Sequence, residues 1–327
     1  MFIRYIVFFI VSICLTYLVR IFALNKNIID NPNERSSHSI PTPRGGGLAI
    51  VITWFGGLIY LYIDGLIEQN LFFALLSGIA LAIVSLLDDI LDLKPVIRLI
   101  AQGISAAAAL IFLGGFQNFI YCHNPLLFWI INLGIFMSII WFINLFNFLD
   151  GIDAYASQET ILVAIGLLIF TGNSTLALLI ASVSGFLLWN WPKAKIFMGD
   201  VGSTQLGYIL IVLGIYFHNK VELNIINWLI LTSVFWFDAS FTLFRRWKNN
   251  EKLSQAHKKH AYQRLVQGGY SHLKVNIYVI VFNIFLLSIT ILNYYILHHE
   301  TLIFLIVIII LYFFNKQIDR IFPFKTR

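Results

Sequence analysis

Apolar residues run through this chain in long unbroken stretches, divided by short polar loops. A membrane-spanning helix needs about 20 apolar residues, because ~1.5 Å of rise per residue must cross roughly 30 Å of hydrocarbon. Eleven stretches qualify as candidates. They lie near 2–24, 45–63, 70–87, 98–116, 125–143, 155–172, 174–191, 203–219, 224–242, 275–297 and 301–314, the last being the shortest. A spanning β-barrel would show segments of alternating polarity instead. Runs such as Leu302 to Phe314 do not alternate, so the spanning element is the helix. The pattern predicts an all-α, polytopic integral membrane protein, a single domain over 1–327. Its longest polar loop falls at about 243–274. No small-residue cleavage site follows the first stretch before Asn25, so that stretch is expected to remain as an anchor.

Composition supports this reading. Hydrophobic residues make up 59% of the chain and charged residues 12%, against about 25% charged in a soluble domain. Mean hydropathy is +0.83. Cys14 and Cys122 are too few and too far apart for a disulfide scaffold. With loops assigned to alternate sides, 19 of the 22 Lys and Arg fall on one side. The positive-inside rule makes that side cytoplasmic, with the N-terminus outside and the C-terminus inside. A basic face against anionic lipid explains most of the net charge of +6, and no nucleic-acid partner is called for.

The acids follow the same asymmetry. Asp88, Asp89, Asp92, Asp150, Asp153 and Asp200 all sit at the cytoplasmic ends of spans or just beyond them. Like charges gathered on one face need a cation or a basic partner. Asp238, inside the ninth span, reads as the only deep acid, with Arg245 or Arg246 as an available partner.

Five polar segments meet on that face. The first runs from Asp30 to Gly47 and carries Arg35, His38, Arg44 and three successive glycines, whose backbone N–H groups suit an anion. The second, Asp88-Asp89-Ile-Leu-Asp92 followed by Arg98, suits a hard divalent cation holding phosphates. The third, Asn144-Leu-Phe-Asn147-Phe-Leu-Asp150-Gly-Ile-Asp153, places Asn147 and Asp150 on adjoining positions of one helical face. In the fourth, Phe197-Met-Gly-Asp200-Val-Gly-Ser, a carboxylate stands where a helix is about to begin. The fifth, His257-Lys258-Lys259-His260-Ala-Tyr-Gln263, lacks further zinc ligands and reads as a basic clamp for phosphate or sugar. Each has a plainer alternative: a connector, a polar helix end, a cap or a membrane-surface segment.

Taken together, from about Asp30 to His272, the segments resemble the polyprenyl-phosphate N-acetylaminosugar-1-phosphate transferases. That resemblance rests on their order and on the pairing of Asn-Phe-Leu-Asp-Gly-Ile-Asp with Phe-Met-Gly-Asp-Val-Gly-Ser. It implies transfer of a sugar 1-phosphate from a UDP-N-acetylaminosugar to undecaprenyl phosphate, with UMP released, in the bacterial inner membrane. Such a step begins O-antigen or other cell-envelope polysaccharides. Magnesium is the implied cofactor, with manganese as the substitute, and a homodimer is compatible with the family. Asp200 and Asn147 are implied to hold the metal. Asp88 and Asp89 are implied as the acidic pair that activates the lipid phosphate or supports the metal. Phe197, Asp153, Asp150 and Arg98 are implied on the UDP side, and His257 to Gln263 with Arg44 around the sugar and phosphates. The run His-Lys-Lys-His-Ala-Tyr-Gln is similar to O-antigen initiators that take N-acetylfucosamine or N-acetylquinovosamine.

Two rivals come from other classes. A membrane prenyltransferase would use Asp88-Asp89-Ile-Leu-Asp92, but it needs a second Asp-rich motif and leaves Gly-Asp-Val-Gly-Ser idle. A transporter would place its charges near the midplane, often in paired repeats.

Overall fold

The computed structural model describes residues 3–32, 40–91, 93–117, 124–253, 255 and 257–324. Arg35, His38, Asp92, Cys122, Lys325 and Arg327 lie outside the described residues.

The described chain is helical apart from one two-stranded ribbon. In chain order the first helices are α1 (Ile3–Asn25), α2 (Gly47–Ile63), α3 (Gln69–Leu76), α4 (Gly78–Leu91), α5 (Pro95–Leu113), α6 (Pro125–Leu149) and α7 (Tyr155–Thr171). They are followed by α8 (Ser174–Asn190), α9 (Asp200–Asn219), α10 (Ile225–Leu231), α11 (Ser233–Lys248), α12 (Ala261–Gln267), α13 (His272–Leu292) and α14 (Glu300–Ile321). Strands β1 (Ile29–Asp30) and β2 (Thr42–Pro43) pair antiparallel, Asp30 opposite Thr42.

Among the described residues, seven helices are long and apolar enough to cross a membrane. Helices α3 and α4 together form one of these, Gln69–Leu91. An eighth span is available if α10 and α11, bent by 78° at Thr232, count as one. The remaining three expected spans fall on α2, α7 and α8, each of 17 residues. At ~1.5 Å per residue these are a few ångströms short of the hydrocarbon thickness, so length alone does not establish eleven crossings. The all-α, multi-pass architecture stands.

Helix α9 is the axis of the bundle. Every residue from Val201 to Phe217 is buried, and it packs on α6, α4 and α2. Small residues allow this. A side chain on Gly47 would run into Gly202, and one on Gly207 would meet the α6 backbone at Ile143, 3.1 Å away. Helix α1 is peripheral and shows lipid-length apolar side chains, among them Ile6, Leu18 and Phe22.

Polar cross-links separate the two ends of the bundle. One end holds Arg4–Asp64 (3.1 Å) and Lys220–Glu68 (2.6 Å). The other holds the ends of α4, α6, α8 and α11 and the starts of α5, α9 and α13, where the basic loops lie. Asp238 is joined by Glu159 as a buried acid more than one turn inside a helix. Asp238 accepts the Ala261 backbone N–H at 2.9 Å and so starts α12, instead of pairing with Arg245 or Arg246. Glu159 of α7, fully buried, accepts from Asn283 of α13 at 2.6 Å.

Candidate active site

Neighbouring residues on a helix point about 100° apart, and the last turn of α4 uses this to send two carboxylates to different tasks. Asp89 turns toward α9. Its Oδ1 accepts the backbone N–H of Asp200 and its Oδ2 that of Val201, both at 3.1 Å. A carboxylate is favourable at a helix N-terminus, where unpaired N–H groups and the dipole both attract it. Gly199 precedes that turn with φ +78°, and a Cβ there would lie 2.8 Å from a carboxylate oxygen of Asp89. Asp88 turns toward α5. It accepts the Leu93 N–H at 2.8 Å and a guanidinium N–H of Arg98 at 2.9 Å. The same nitrogen of Arg98 stands 3.4 Å from Asp200 Oδ2.

The end of α6 supplies the next pair. Asn147 lies beside the Asp200 carboxylate in the same cavity wall. Asp150 follows α6, and its carboxyl is pushed up to about 7 by burial first, then by repulsion from Asp200, Asp89 and Asp153. The turn that follows places Ala154 at φ +65°. Asn190 holds it there, accepting the Ala154 N–H at 2.9 Å and donating to the Ile196 carbonyl at 2.9 Å. Asp153 is thereby directed inward. Its Oδ2 accepts the Ala194 N–H at 3.2 Å and lies 3.2 Å from His272 Nδ1.

The Gly-rich segment reaches the site in a way that spacing did not predict. The N–H groups of Gly46 and Gly47 donate to the carbonyls of Phe197 (2.9 Å) and Met198 (2.8 Å), and Phe197 donates back to Pro43 at 2.8 Å. Two of the three glycine N–H groups are therefore spent on seating the loop against 197–198. The missing side chain of Gly47 allows close packing on Gly202 of α9, and that of Gly46 on Phe186 of α8. Arg44 donates to the Asp89 carbonyl at 2.6 Å.

These elements enclose a cavity of about 300 Å³. Arg44, Asp89, Asn147, Asp150, Asp153 and Phe197 line it, with Asp200 and Gln263. Asp30, Asn190, Ser203 and His272 are also in the wall. Acids outnumber bases, and the side chains of Asp89, Asn147, Asp150 and Asp200 offer oxygen donors.

The chain is similar to known proteins over most of its length. The family model for Glycosyl transferase family 4 matches residues 71–218. The chain is 32% identical over 309 residues to a probable undecaprenyl-phosphate N-acetylglucosaminyl 1-phosphate transferase of Bacillus subtilis, covering 88% of this chain and 84% of that one. The chain belongs to the polyprenyl-phosphate sugar-1-phosphate transferase family. It is also 32% identical to the undecaprenyl-phosphate alpha-N-acetylglucosaminyl 1-phosphate transferase of Thermotoga maritima, over 64% of this chain and 63% of the relative. A phospho-N-acetylmuramoyl-pentapeptide-transferase of Lactococcus lactis is 31% identical over 61% and 66%.

Two predicted site residues of this transferase, Asp88 and Arg98, stand behind the cavity wall and reach it through Asp200. The predicted clamp is divided. Gln263 lines the cavity, whereas Lys258 and Lys259 line a separate cleft with Arg264 and the end of α14. Lys259 pairs with Glu251 at 2.6 Å. His260 is buried, 4.0 Å from Asp238. Burial, aided by neighbouring cationic groups, holds His257 down at about 3 and His260 at about 4. Both histidines are neutral at pH 7 and contribute packing rather than charge. The loop itself winds around the buried Arg246, which donates to Glu251 (3.2 Å) and to the carbonyls of Lys252 (2.6 Å) and Gln255 (3.0 Å).

Sequence reasoning missed Asn190 and His272. Asn190 ends an apolar helix, where a polar residue reads as a cap. His272 follows the end of the expected clamp by nine residues, just after Ser271, and only its first-turn position on α13 hinted at a role.

Proposed function

We propose that this transferase moves an N-acetylaminosugar 1-phosphate from a UDP-sugar to undecaprenyl phosphate at the cytoplasmic face of the bacterial inner membrane, releasing UMP. The observation that carries this reading is the convergence of Asp89, Asn147, Asp150 and Asp200 on one cavity beside Arg44 and Phe197. The basic loops around that cavity support the cytoplasmic assignment, with the N-terminus outside and the C-terminus inside.

The residues fit a magnesium ion. The donors are hard oxygens, and the acid excess that raises Asp150 is what a cation relieves. Among the described residues no three acidic, His or Cys side chains stand close enough to form a ligand sphere alone. Magnesium commonly takes one or two carboxylates and fills its remaining positions with water and substrate phosphate. Asp200 and Asn147, with Asp150 nearby, would hold it. When bound, the ion neutralises charge on the diphosphate oxygens.

The chain's own residues set the rest. Phe197 offers an aromatic face for the base, and Asp153 a carboxylate for a base N–H. The base therefore occupies the end of the cavity between α7 and the 191–199 loop. Arg44, also in the cavity wall, attracts phosphate. A lipid phosphate oxygen attacks the sugar-bearing phosphorus, the bond to UMP breaks, and the sugar C–O bond is untouched. The sugar keeps its anomeric configuration. Catalysis is positioning and charge compensation.

Purified protein, undecaprenyl phosphate, Mg²⁺ and a panel of UDP-N-acetyl sugars should yield UMP only when both substrates are present. The panel also decides between N-acetylglucosamine and the 6-deoxy sugars suggested by the 257–263 run. Pyrophosphate release from a prenyl diphosphate, or solute accumulation in vesicles without UMP, would overturn the reading.

A further inference from the structure

We infer that His272 is a positioning residue for nucleotide recognition: it fixes the Asp153 carboxylate so that one oxygen faces the cavity to accept a base N–H. This rests on the function proposed above.

The two residues approach from distant parts of the chain. Asp153 lies in the turn before α7, and His272 is the first residue of α13. Nδ1 of His272 stands 3.2 Å from Asp153 Oδ2, with side-chain exposures of 16% and 10%. The Asp153 backbone N–H lies 3.4 Å from the same nitrogen and would use its lone pair, but a bare Nδ1 would set that lone pair against the nearer carboxylate oxygen, so we assign the proton to Nδ1, which then donates to Oδ2. The second hydrogen bond to Oδ2 comes from Ala194 N–H. Both bonds fall on the same oxygen. Among the described residues Oδ1 has no hydrogen-bond partner, and both side chains line the cavity.

Helix α13 holds Asp153 at a second point. One turn beyond His272, Asn276 donates to the Asp153 carbonyl at 2.7 Å, and Gln158 of α7 donates to Asn276 Oδ1 at 3.1 Å. The backbone is thus pinned by Asn276 and the carboxylate by His272. Without the imidazole, the carboxylate keeps its place in the chain but can rotate about its last bond. A base N–H then meets a mobile acceptor and pays the ordering cost on binding. The lipid phosphate does not depend on this contact, so its binding is left alone.

The test compares UDP-sugar and lipid kinetics with direct UMP binding. His272→Ala is expected to raise KM for the UDP-sugar about tenfold, equivalent to ~1.4 kcal/mol. UMP affinity should weaken in parallel, while kcat changes less than about twofold and KM for undecaprenyl phosphate stays put. His272→Asn places an N–H where Nδ1 stands and should restore KM; His272→Gln carries it one carbon further and should not. If the alanine variant fails to fold, the Asn and Gln pair carries the same test. Unchanged UMP binding in His272→Ala, a matched rise in both KM values, or equal behaviour of Asn and Gln would overturn the inference. A wild-type protein that binds no uridine nucleotide would instead overturn the proposed function, and this inference with it.

Discussion

The Asp89 carboxylate and the Asp200 backbone N–H meet at 3.1 Å, so a residue at the end of one helix starts the next helix of the core. Asp89→Asn keeps the size but leaves one acceptor for two N–H donors. Loss of such a cap costs about 1–2 kcal/mol. The variant should melt earlier and lose activity together, read by thermal unfolding in detergent and UMP release.

Gly199→Ala attacks the same junction from the other side. A methyl group would press on the Asp89 carboxylate in a left-handed backbone conformation. We expect a loss of about 1–3 kcal/mol and little activity. Because both changes break one junction, the double variant with Asp89→Asn should cost less than the sum of the two. Strict additivity in melting experiments would refute the shared contact.

Asp150 should behave in the opposite sense. Its carboxyl is raised to about 7, so the folded protein binds a proton that the unfolded chain, with an ordinary value near 3.8, releases. Stability from this group is present below about pH 4 and declines as pH rises through 7. Asp150→Asn should therefore remove that decline in chelator-treated protein and leave or raise the melting temperature at pH 8, while activity falls about a hundredfold or more. Added Mg²⁺ should flatten the wild-type decline. A melting temperature lowered by Asp150→Asn at pH 8 would contradict the charge argument.

Arg98 joins Asp88 to Asp200. Arg98→Ala leaves two carboxylates facing each other with one cation fewer. Activity should drop strongly, and Asp88→Asn in the same chain should recover part of it by removing one of the charges. Direct removal of the candidate metal donor, Asp200→Ala, should cost several kcal/mol of transition-state stabilisation with membrane insertion intact. Near-normal UMP release from that variant would remove Asp200 from the reaction.

Acid should loosen the 249–260 loop. His257 and His260 are held at about 3 and about 4, while the unfolded chain titrates near 6.5. The unfolded loop binds more protons over that interval, so its stability is full above about pH 6.5 and falls toward pH 4. Hydrogen exchange of residues 249–260 should accelerate across this window, and His260→Gln should weaken the response. An exchange rate independent of the His260 charge state would refute it.

Much of this was visible in the one-dimensional pattern. Long apolar runs fall on helices because a bilayer leaves the backbone no other partner for its N–H and C=O groups. The aspartates lie between those runs, so their gathering at one end of the bundle follows from alternation alone. Their division of labour does not. Asp88 and Asp89 are adjacent in sequence and alike in chemistry, yet one faces α5 and the other α9, a choice made by helix rotation and by Arg98 and Gly199 arriving from elsewhere. The glycines of 45–47 read as an anion cradle because an N–H group shows no partner in sequence; only packing revealed the carbonyls of Phe197 and Met198. His257 and His260 read as a basic clamp because burial, which strips their charge, is a property of the folded loop. His272 became part of the cavity for the same reason in reverse. It stands 119 residues from Asp153, and only the docking of α13 against α7 brings the two together.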